Sequence, residues 1–299
     1  MAIVQHYLSQ MYLRGFSPWR YDKTANERQK NQVWVYFFRK KEIFLTSVHN
    51  VAARSHYYSF KDPHGSYNHS VEKLFSKIED RASGPFRSVE TAIDEINLHG
   101  YTKGIGETDR RNLMHFLFLH MIRVPAVMDY LRQESAEHEA SISKEYAKDY
   151  SEDYVQKNIL RVLIRIGRNK DAPILDYLLK KDCRILSVLR SKACFLTTDN
   201  PAQRFNKTEP DGIFYPNTEV YLPLSQRALL FLHGNEARLQ IGRLSDLTAV
   251  FDLNCYIARG AKELIVCSNR EYLTRVLNTI GLKVINGSTD ESGQHGNPT

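Results

Sequence analysis

The chain has few of the features that could fix a fold from outside a hydrophobic core. It holds four cysteines in 299 residues, Cys183, Cys194, Cys255 and Cys267, at spacings of 11, 61 and 12. These spacings contain no CxxC pair and no zinc-knuckle pattern, which excludes a disulfide framework and a structural zinc site of the usual kinds. Three of the four sit in apolar stretches, so buried free thiols in a reducing compartment are expected. Long apolar runs are also missing. The longest is Met114 to Ile122, and His115 and His120 interrupt it. About 20 residues are needed to span a bilayer, so no membrane is expected. The start, Met1-Ala2-Ile3-Val4-Gln5-His6, has neither the basic nor the apolar region of a signal peptide. A soluble cytoplasmic chain is the expectation. Walker, GxGxxG, GxSxG and HExxH motifs are absent, which removes the familiar nucleotide, serine-hydrolase and zincin signatures. No metal site is read from the sequence, and the cofactor is unknown.

What is present is globular. The chain is 42% hydrophobic, 25% charged and 11% aromatic, with a net charge of +7. A chain of this size buries about three quarters of its unfolded surface and needs no staple. The charge is local. Residues 134–156 carry seven acids and two lysines, net −5, and residues 157–192 carry ten bases and three acids, net +7. Lys157, Arg161, Arg165 and Arg168 line one side of an expected helix there. That side suits nucleic-acid phosphates, or it pairs with the acidic stretch before it.

Patterning predicts an α+β fold. A short helix is expected over 3–14, strands over 33–38 and 42–47 as a hairpin, and 56–60 as an extension of that sheet. A turn is expected at Asp62-Pro63-His64-Gly65. Residues 70–98 read as a helix broken at Gly84-Pro85. Residues 108–133 read as a central helix capped by Thr108, and 159–190 as helical. Strands follow at 193–198, 219–224, 228–233 and 263–267, with helices over 245–261 and 270–280. No internal repeat is visible. One α+β domain over 1–285 is expected, with a possible subdomain split near 192, and a disordered polar tail over 286–299.

Several polar residues interrupt apolar patterns. On the expected first helix, His6, Gln10 and Arg14 share a stripe; a solvated face would look the same. Glu72 and Glu79 lie seven residues apart on one flank of a helix, about 10.5 Å along the axis, too far to hold one metal alone. An ordinary amphipathic edge would show the same spacing. Arg123 stands in the most apolar helix, two residues before Pro125, which frees a backbone carbonyl and kinks the helix. A buried guanidinium needs a carboxylate or a ligand anion as partner. Thr197-Thr198-Asp199-Asn200-Pro201 follows an apolar strand, as a turn or as a site loop. Asn254 projects from the middle of an apolar helical face and must be hydrogen-bonded there, as a fastener or toward a pocket.

Three separated stretches form one pattern: His6-Tyr7-x-x-Gln10-x-Tyr12-Leu13-Arg14-x-Phe16, then Arg123-x-Pro125, then Thr198-Asp199-Asn200-Pro201 with Leu222-Pro223-Leu224-Ser225 and a later Asn254. This order resembles the bacterial domain-of-unknown-function family 4238, over about residues 5 to 270. The turn reads Thr197-Thr198-Asp199 where the family shows Thr-Ser-Asp. The resemblance brings no activity with it. It implies a single-domain reading and treats these polar positions as one set.

The combined expectation is one cleft. His6, Glu72 and Asp199 would be its catalytic groups, and Gln10, Arg14, Glu79, Arg123, Asn200 and Asn254 its substrate-binding groups. Such a set suits general acid/base hydrolysis of an anionic phosphodiester or nucleotide. Two other readings stay open: a non-catalytic module that senses a ligand or binds a protein, and a nucleic-acid binder through 157–192. Oligomeric state is not legible.

Overall fold

The computed structural model describes residues 4–61, 64–131, 133, 173–188, 193–206 and 212–285. The acidic stretch 134–156, most of the basic stretch 157–192 and the polar tail lie outside these. The fold is α+β, as expected. In the described residues, β1 (Val4–His6), α1 (Gln10–Arg14) and α2 (Glu27–Lys30) come first. The strands β2 (Gln32–Phe37), β3 (Glu42–Ser47), β4 (Ala53–Ser55), β5 (Phe60–Lys61) and β6 (Tyr67–Asn68) follow. Two long helices, α3 (Ser70–His99) and α4 (Glu107–Ile122), lead to α5 (Pro173–Lys180). The C-terminal part comprises β7 (Asp182–Ser187), β8 (Thr197–Thr198), β9 (Gln203–Asn206), β10 (Thr218–Ser225), β11 (Ala228–His233), β12 (Leu239–Arg243), α6 (Leu247–Arg259), β13 (Leu264–Cys267) and α7 (Arg270–Thr279).

Two larger sheets carry the architecture. One runs β12-β7-β11-β10-β9, antiparallel except for the β12–β7 pair, and the other runs β3-β2-β13-β8, antiparallel throughout. In β13 all four residues are buried. Leu264 and Val266 enter one apolar cluster with α1, α3 and α4, while Ile265 and Cys267 enter a second with α6 and α7. β2 divides its side chains the same way, Val33 and Val35 against Tyr36. A strand covered on both faces loses alternation and reads as a continuous apolar run. The hairpin expected over 33–47 forms as β2 and β3, in register from Gln32–Ser47 to Phe37–Glu42.

Four expectations are corrected. Residues 3–14 are not one helix: β1 pairs with β4, with His6 opposite Ala53, and α1 starts only after Ser9, whose hydroxyl caps it through the amide of Tyr12. The segment 56–60 does not extend the hairpin sheet; β5 pairs with β6 instead. α3 is unbroken at Gly84-Pro85. Pro85 removes one hydrogen bond at a local cost of about 3 kcal/mol, but the buried stripe Val71, Phe75, Ile78, Ala82, Pro85, Val89, Ile93 continues in register through it. Burial of that stripe outweighs the local cost. Finally, the helix expected up to 190 ends at Lys180, and 182–187 is a strand between β11 and β12.

The central helix also ends earlier than expected. Gly106, not Thr108, is its N-cap, and it stops at Ile122 with Arg123 as C-cap. Pro125 has no amide proton for the carbonyl of Met121. The chain turns at Arg123-Val124 and restarts as helix over 125–131, with Val124 accepting from Met128. Proline is well suited to that first helical position. This break places Arg123 beside β1 and α3.

Candidate functional site

Arg123 is fully buried. Its Nε donates to the carbonyl of Tyr7 at 2.6 Å, and one terminal nitrogen donates to Glu79. Its guanidinium lies 5.6 Å from the centre of the Phe75 ring, and its own carbonyl accepts from the Tyr58 hydroxyl at 2.5 Å. Its other terminal nitrogen is buried without a partner among the described residues. One side chain therefore links β1, α3 and the end of α4.

Two further residues of the expected set join it. Glu72, one turn and three residues before Glu79 on α3, is half-buried, and its Oε2 is also without a partner among the described residues. Burial, reinforced by the neighbouring Glu79 charge and opposed by Arg123, pushes its pKa up to about 7. His6, half-buried on β1, contacts the carbonyl of His49 through Nε2 at 3.1 Å. Burial lowers its pKa; the hydrogen bond to the His49 carbonyl and the Glu79 charge oppose that fall, and the His49 and Arg123 charges add to it. His6, Glu72, Glu79 and Arg123 thus share one electrostatic environment.

The Asp199 turn is differently occupied. Asp199 is buried and accepts from the backbone amides of Lys262, Glu263 and Leu264, at 3.0 to 3.2 Å. Burial raises its pKa, and those amides oppose the rise. Asn200 closes a local turn: its amide donates to the Thr198 hydroxyl at 3.1 Å and its carbonyl accepts from it at 2.8 Å. Asn254 is fully buried and fully satisfied: Oδ1 accepts from the amide of Leu196 at 3.0 Å, and Nδ2 donates to the Cys194 carbonyl at 2.7 Å and the Tyr272 hydroxyl at 2.9 Å. It fastens the segment before β8. The expectation that Asp199 and Asn254 face the cleft with His6 meets side chains already committed to their own scaffold.

Gln10 and Arg14 do not share a stripe with His6, because His6 is on a strand. Gln10 opens α1, half-buried. Arg14 donates through Nε to Asn31 at 2.5 Å. What the N-terminal motif does is dock. The buried Tyr12 hydroxyl donates to the Pro223 carbonyl at 2.7 Å and pairs with the Thr197 hydroxyl at 2.7 Å. The amide of Gln226 donates to the carbonyl of Gly15 at 2.9 Å. A Cβ on Gly15 would lie 3.0 Å from the Tyr12 carbonyl and 3.1 Å from that of Leu224, so glycine permits this close approach.

Six residues outside the expected set complete the surroundings. Gln5 donates to Ser59 at 2.9 Å and accepts from the amide of Tyr58 at 2.6 Å, holding the Tyr58 loop against β1. Tyr7 donates to Glu263 at 3.1 Å, and Glu263 pairs with Arg54. Tyr7 thereby joins the Arg123 cluster, through its carbonyl, to the turn that Asp199 holds. Gln5 sits beside a motif histidine and gives no signal of its own. Tyr7 belongs to the N-terminal motif, and the rest read as ordinary loop or strand residues.

The basic segment meets the described residues at its C-terminal end. Lys181 is buried there, and its ammonium donates to the carbonyls of Tyr215 and Thr218, both at 2.9 Å. That charge serves the fold. Lys157, Arg161, Arg165 and Arg168 lie outside the described residues. No group of three or more His, Cys, Asp or Glu able to hold a metal occurs among the described residues, and none of their helices is long and apolar enough to cross a membrane.

The family model described as protein of unknown function (DUF4238) matches residues 4–271, and the chain belongs to that family. No curated protein and no solved structure matches it.

Proposed function

We propose that this member of the family is an enzyme that hydrolyses an anionic substrate, a phosphodiester or nucleotide, by general acid/base chemistry at the Glu72–Arg123 cluster. The observation that carries the reading is the pair of buried polar atoms left open in one charged environment, Glu72 Oε2 and a terminal nitrogen of Arg123. Buried polar atoms are ordinarily satisfied, and open ones call for a water, an ion or a ligand as partner. A carboxyl poised near neutrality is half-protonated at working pH, which suits proton transfer in either direction. In this reading Glu72 exchanges the proton with the reacting oxygen. His6, half-buried on β1, is the second proton-carrying group. Glu79 fixes the guanidinium, and the open nitrogen of Arg123 donates to a substrate oxygen. Asp199, Asn200 and Asn254 hold the scaffold beneath.

The test is turnover of a panel of aryl phosphodiesters and nucleotides by the full chain. Glu72→Gln keeps the shape and removes the titration. It should lower kcat by about 100-fold or more while leaving the folded fraction unchanged. Equal turnover by the variant would reject Glu72 as the reacting group.

A second reading, a non-catalytic module, draws on the span of Arg123. An arginine that ties three elements together through Tyr7 and Glu79 also suits a structural staple. The two readings separate on Glu72: a staple predicts that Glu72→Gln changes stability and no turnover.

A further inference from the structure

Two of the four cysteines are neighbours in space. Cys194, in the extended segment before β8, and Cys267, the last residue of β13, have their sulfurs 3.6 Å apart although 73 residues separate them in sequence. Both are free, and both are buried, Cys194 at 8% exposure and Cys267 at 0%. The two segments already have fixed positions. Asn254 donates to the Cys194 carbonyl and takes the Leu196 amide, and β13 lies in its sheet between β2 and β8. Sulfurs in van der Waals contact, on backbones held from both sides, need only a small shift to reach bonding distance.

We propose that Cys194 and Cys267 form an oxidisable dithiol site that hydrogen peroxide converts to an intramolecular disulfide. In the first step the Cys194 sulfur attacks one peroxide oxygen. An S–O bond forms, the O–O bond breaks, and the departing hydroxide takes the proton lost from Cys194 to give water. Cys194 is oxidised to sulfenic acid and the peroxide is reduced. In the second step the Cys267 sulfur attacks the Cys194 sulfur. An S–S bond forms, the S–O bond breaks, and hydroxide leaves with the Cys267 proton as a second water. Two thiols and one peroxide give one disulfide and two waters.

The environment assigns the order of attack. The hydrogen bond from Cys267, with those from Ser268, pulls the Cys194 thiol below its ordinary pKa, whereas Cys267 is pushed well above its own by the Cys194 contact and by burial. Cys194 is also the more exposed of the two, 8% against 0%, so peroxide reaches its sulfur first and Cys267 resolves. Burial in the second apolar cluster keeps thiols of other molecules from reaching the sulfenic acid, so the bridge stays within one chain. Cys183 lies in the other apolar cluster, and Cys255, which shares the second cluster, is the thiol against which the pairing is checked.

The experiment treats the folded, reduced full-length chain with hydrogen peroxide, then denatures it, counts free thiols and maps peptides without reductant. The expected result is loss of two of the four thiols, a mass about 2 Da lower, and one linked peptide pair carrying Cys194 and Cys267, all reversed by dithiothreitol. The Cys183→Ala/Cys255→Ala chain should behave identically, and Cys194→Ala and Cys267→Ala should each abolish the linked pair. Four surviving thiols, addition of oxygen at Cys194 without a cross-link, or a bridge to Cys183 or Cys255 would each overturn the proposal. The decisive reading comes from the unsubstituted chain, so a variant that fails to fold does not remove it.

Discussion

The Asp199–Asn254 region and the Arg123 region are built from the same kinds of residue and treat them in opposite ways. Around Asp199 and Asn254 the partners are mostly backbone: three amides on one carboxylate, and both ends of one amide side chain on the segment before β8, with the Tyr272 hydroxyl as the one side-chain partner of Asn254. Around Arg123 the guanidinium divides between the Tyr7 carbonyl and the Glu79 side chain, and Arg123, Glu72 and the neighbouring His120 each keep one buried atom without a partner among the described residues. Backbone partners are fixed by the fold, so a side chain saturated by them has nothing to offer a ligand. Side chains that face each other with spare valences keep that capacity. A polar residue in an apolar setting is therefore ambiguous until its partners are known.

The sharpest way to separate the regions is to remove one member from each. Arg123→Ala should cost the most, about 4 kcal/mol, because it strands Glu79 and the Tyr7 carbonyl in a buried setting. Urea denaturation reads this directly, and a loss below about 1 kcal/mol would mean the ion pair is solvated rather than structural. Asp199→Ala should cost less, about 3 kcal/mol, for three amides left without their charged acceptor. Asp199→Asn should recover part of it through the remaining carbonyl oxygen. Asn254→Ala should cost about 2 kcal/mol by the same reasoning. If the contrast between regions holds, both Asp199 variants and Asn254→Ala turn over substrate normally per folded molecule, whereas Glu72→Gln folds and does not. A fall in kcat for Asp199→Asn without loss of stability would erase the distinction.

Much of the fold was legible because its signals are local. The β2–β3 hairpin, β10, β11, β13 and the last two helices each carry a period, a cap or a turn of their own. β7 and β12 were not. β12 is a parallel edge strand of five residues that exists because β7 is beside it, and β7 reads as the tail of a helix because Asp182-Cys183-Arg184 carries no strand pattern. The Gly84-Pro85 break failed for the converse reason: a strong local signal lost to burial of one stripe along a thirty-residue helix. At the site, the need of Arg123 for an anionic partner, a carboxylate or a ligand, followed from its position, and Glu79 meets part of it. That Asp199 serves backbone was not legible, since the amides it holds are more than sixty residues away. The dual contact of Tyr12, with Thr197 and Pro223, was equally hidden, although it explains why the N-terminal motif and the Leu-Pro-Leu-Ser strand occur together.

The smallest expected effect isolates the two titrating groups. Glu72 has a folded pKa of about 7 against an ordinary 4.5, so between those values the folded chain holds a proton that the unfolded chain has released. Its contribution is greatest below pH 4.5 and is lost as pH rises through about 7. Part-exposure limits the size to about 1 kcal/mol. His6 runs the other way. Its folded pKa lies below 6.5, so the unfolded chain takes the proton first, and its contribution is present above 6.5 and lost as pH falls. The two slopes oppose each other near neutrality, and the intact chain should show a shallow pH dependence from these groups. Urea midpoints measured from about pH 5 to 8 should therefore tilt in opposite senses. Glu72→Gln leaves the His6 slope, with stability rising with pH. His6→Asn leaves the Glu72 slope, with stability falling. Asp199→Asn should change neither slope at neutral pH if its carboxylate is held by the three amides as a scaffold. Parallel curves for the intact chain and Glu72→Gln would place the Glu72 carboxyl in water and remove the open acceptor that sets the Arg123 region apart.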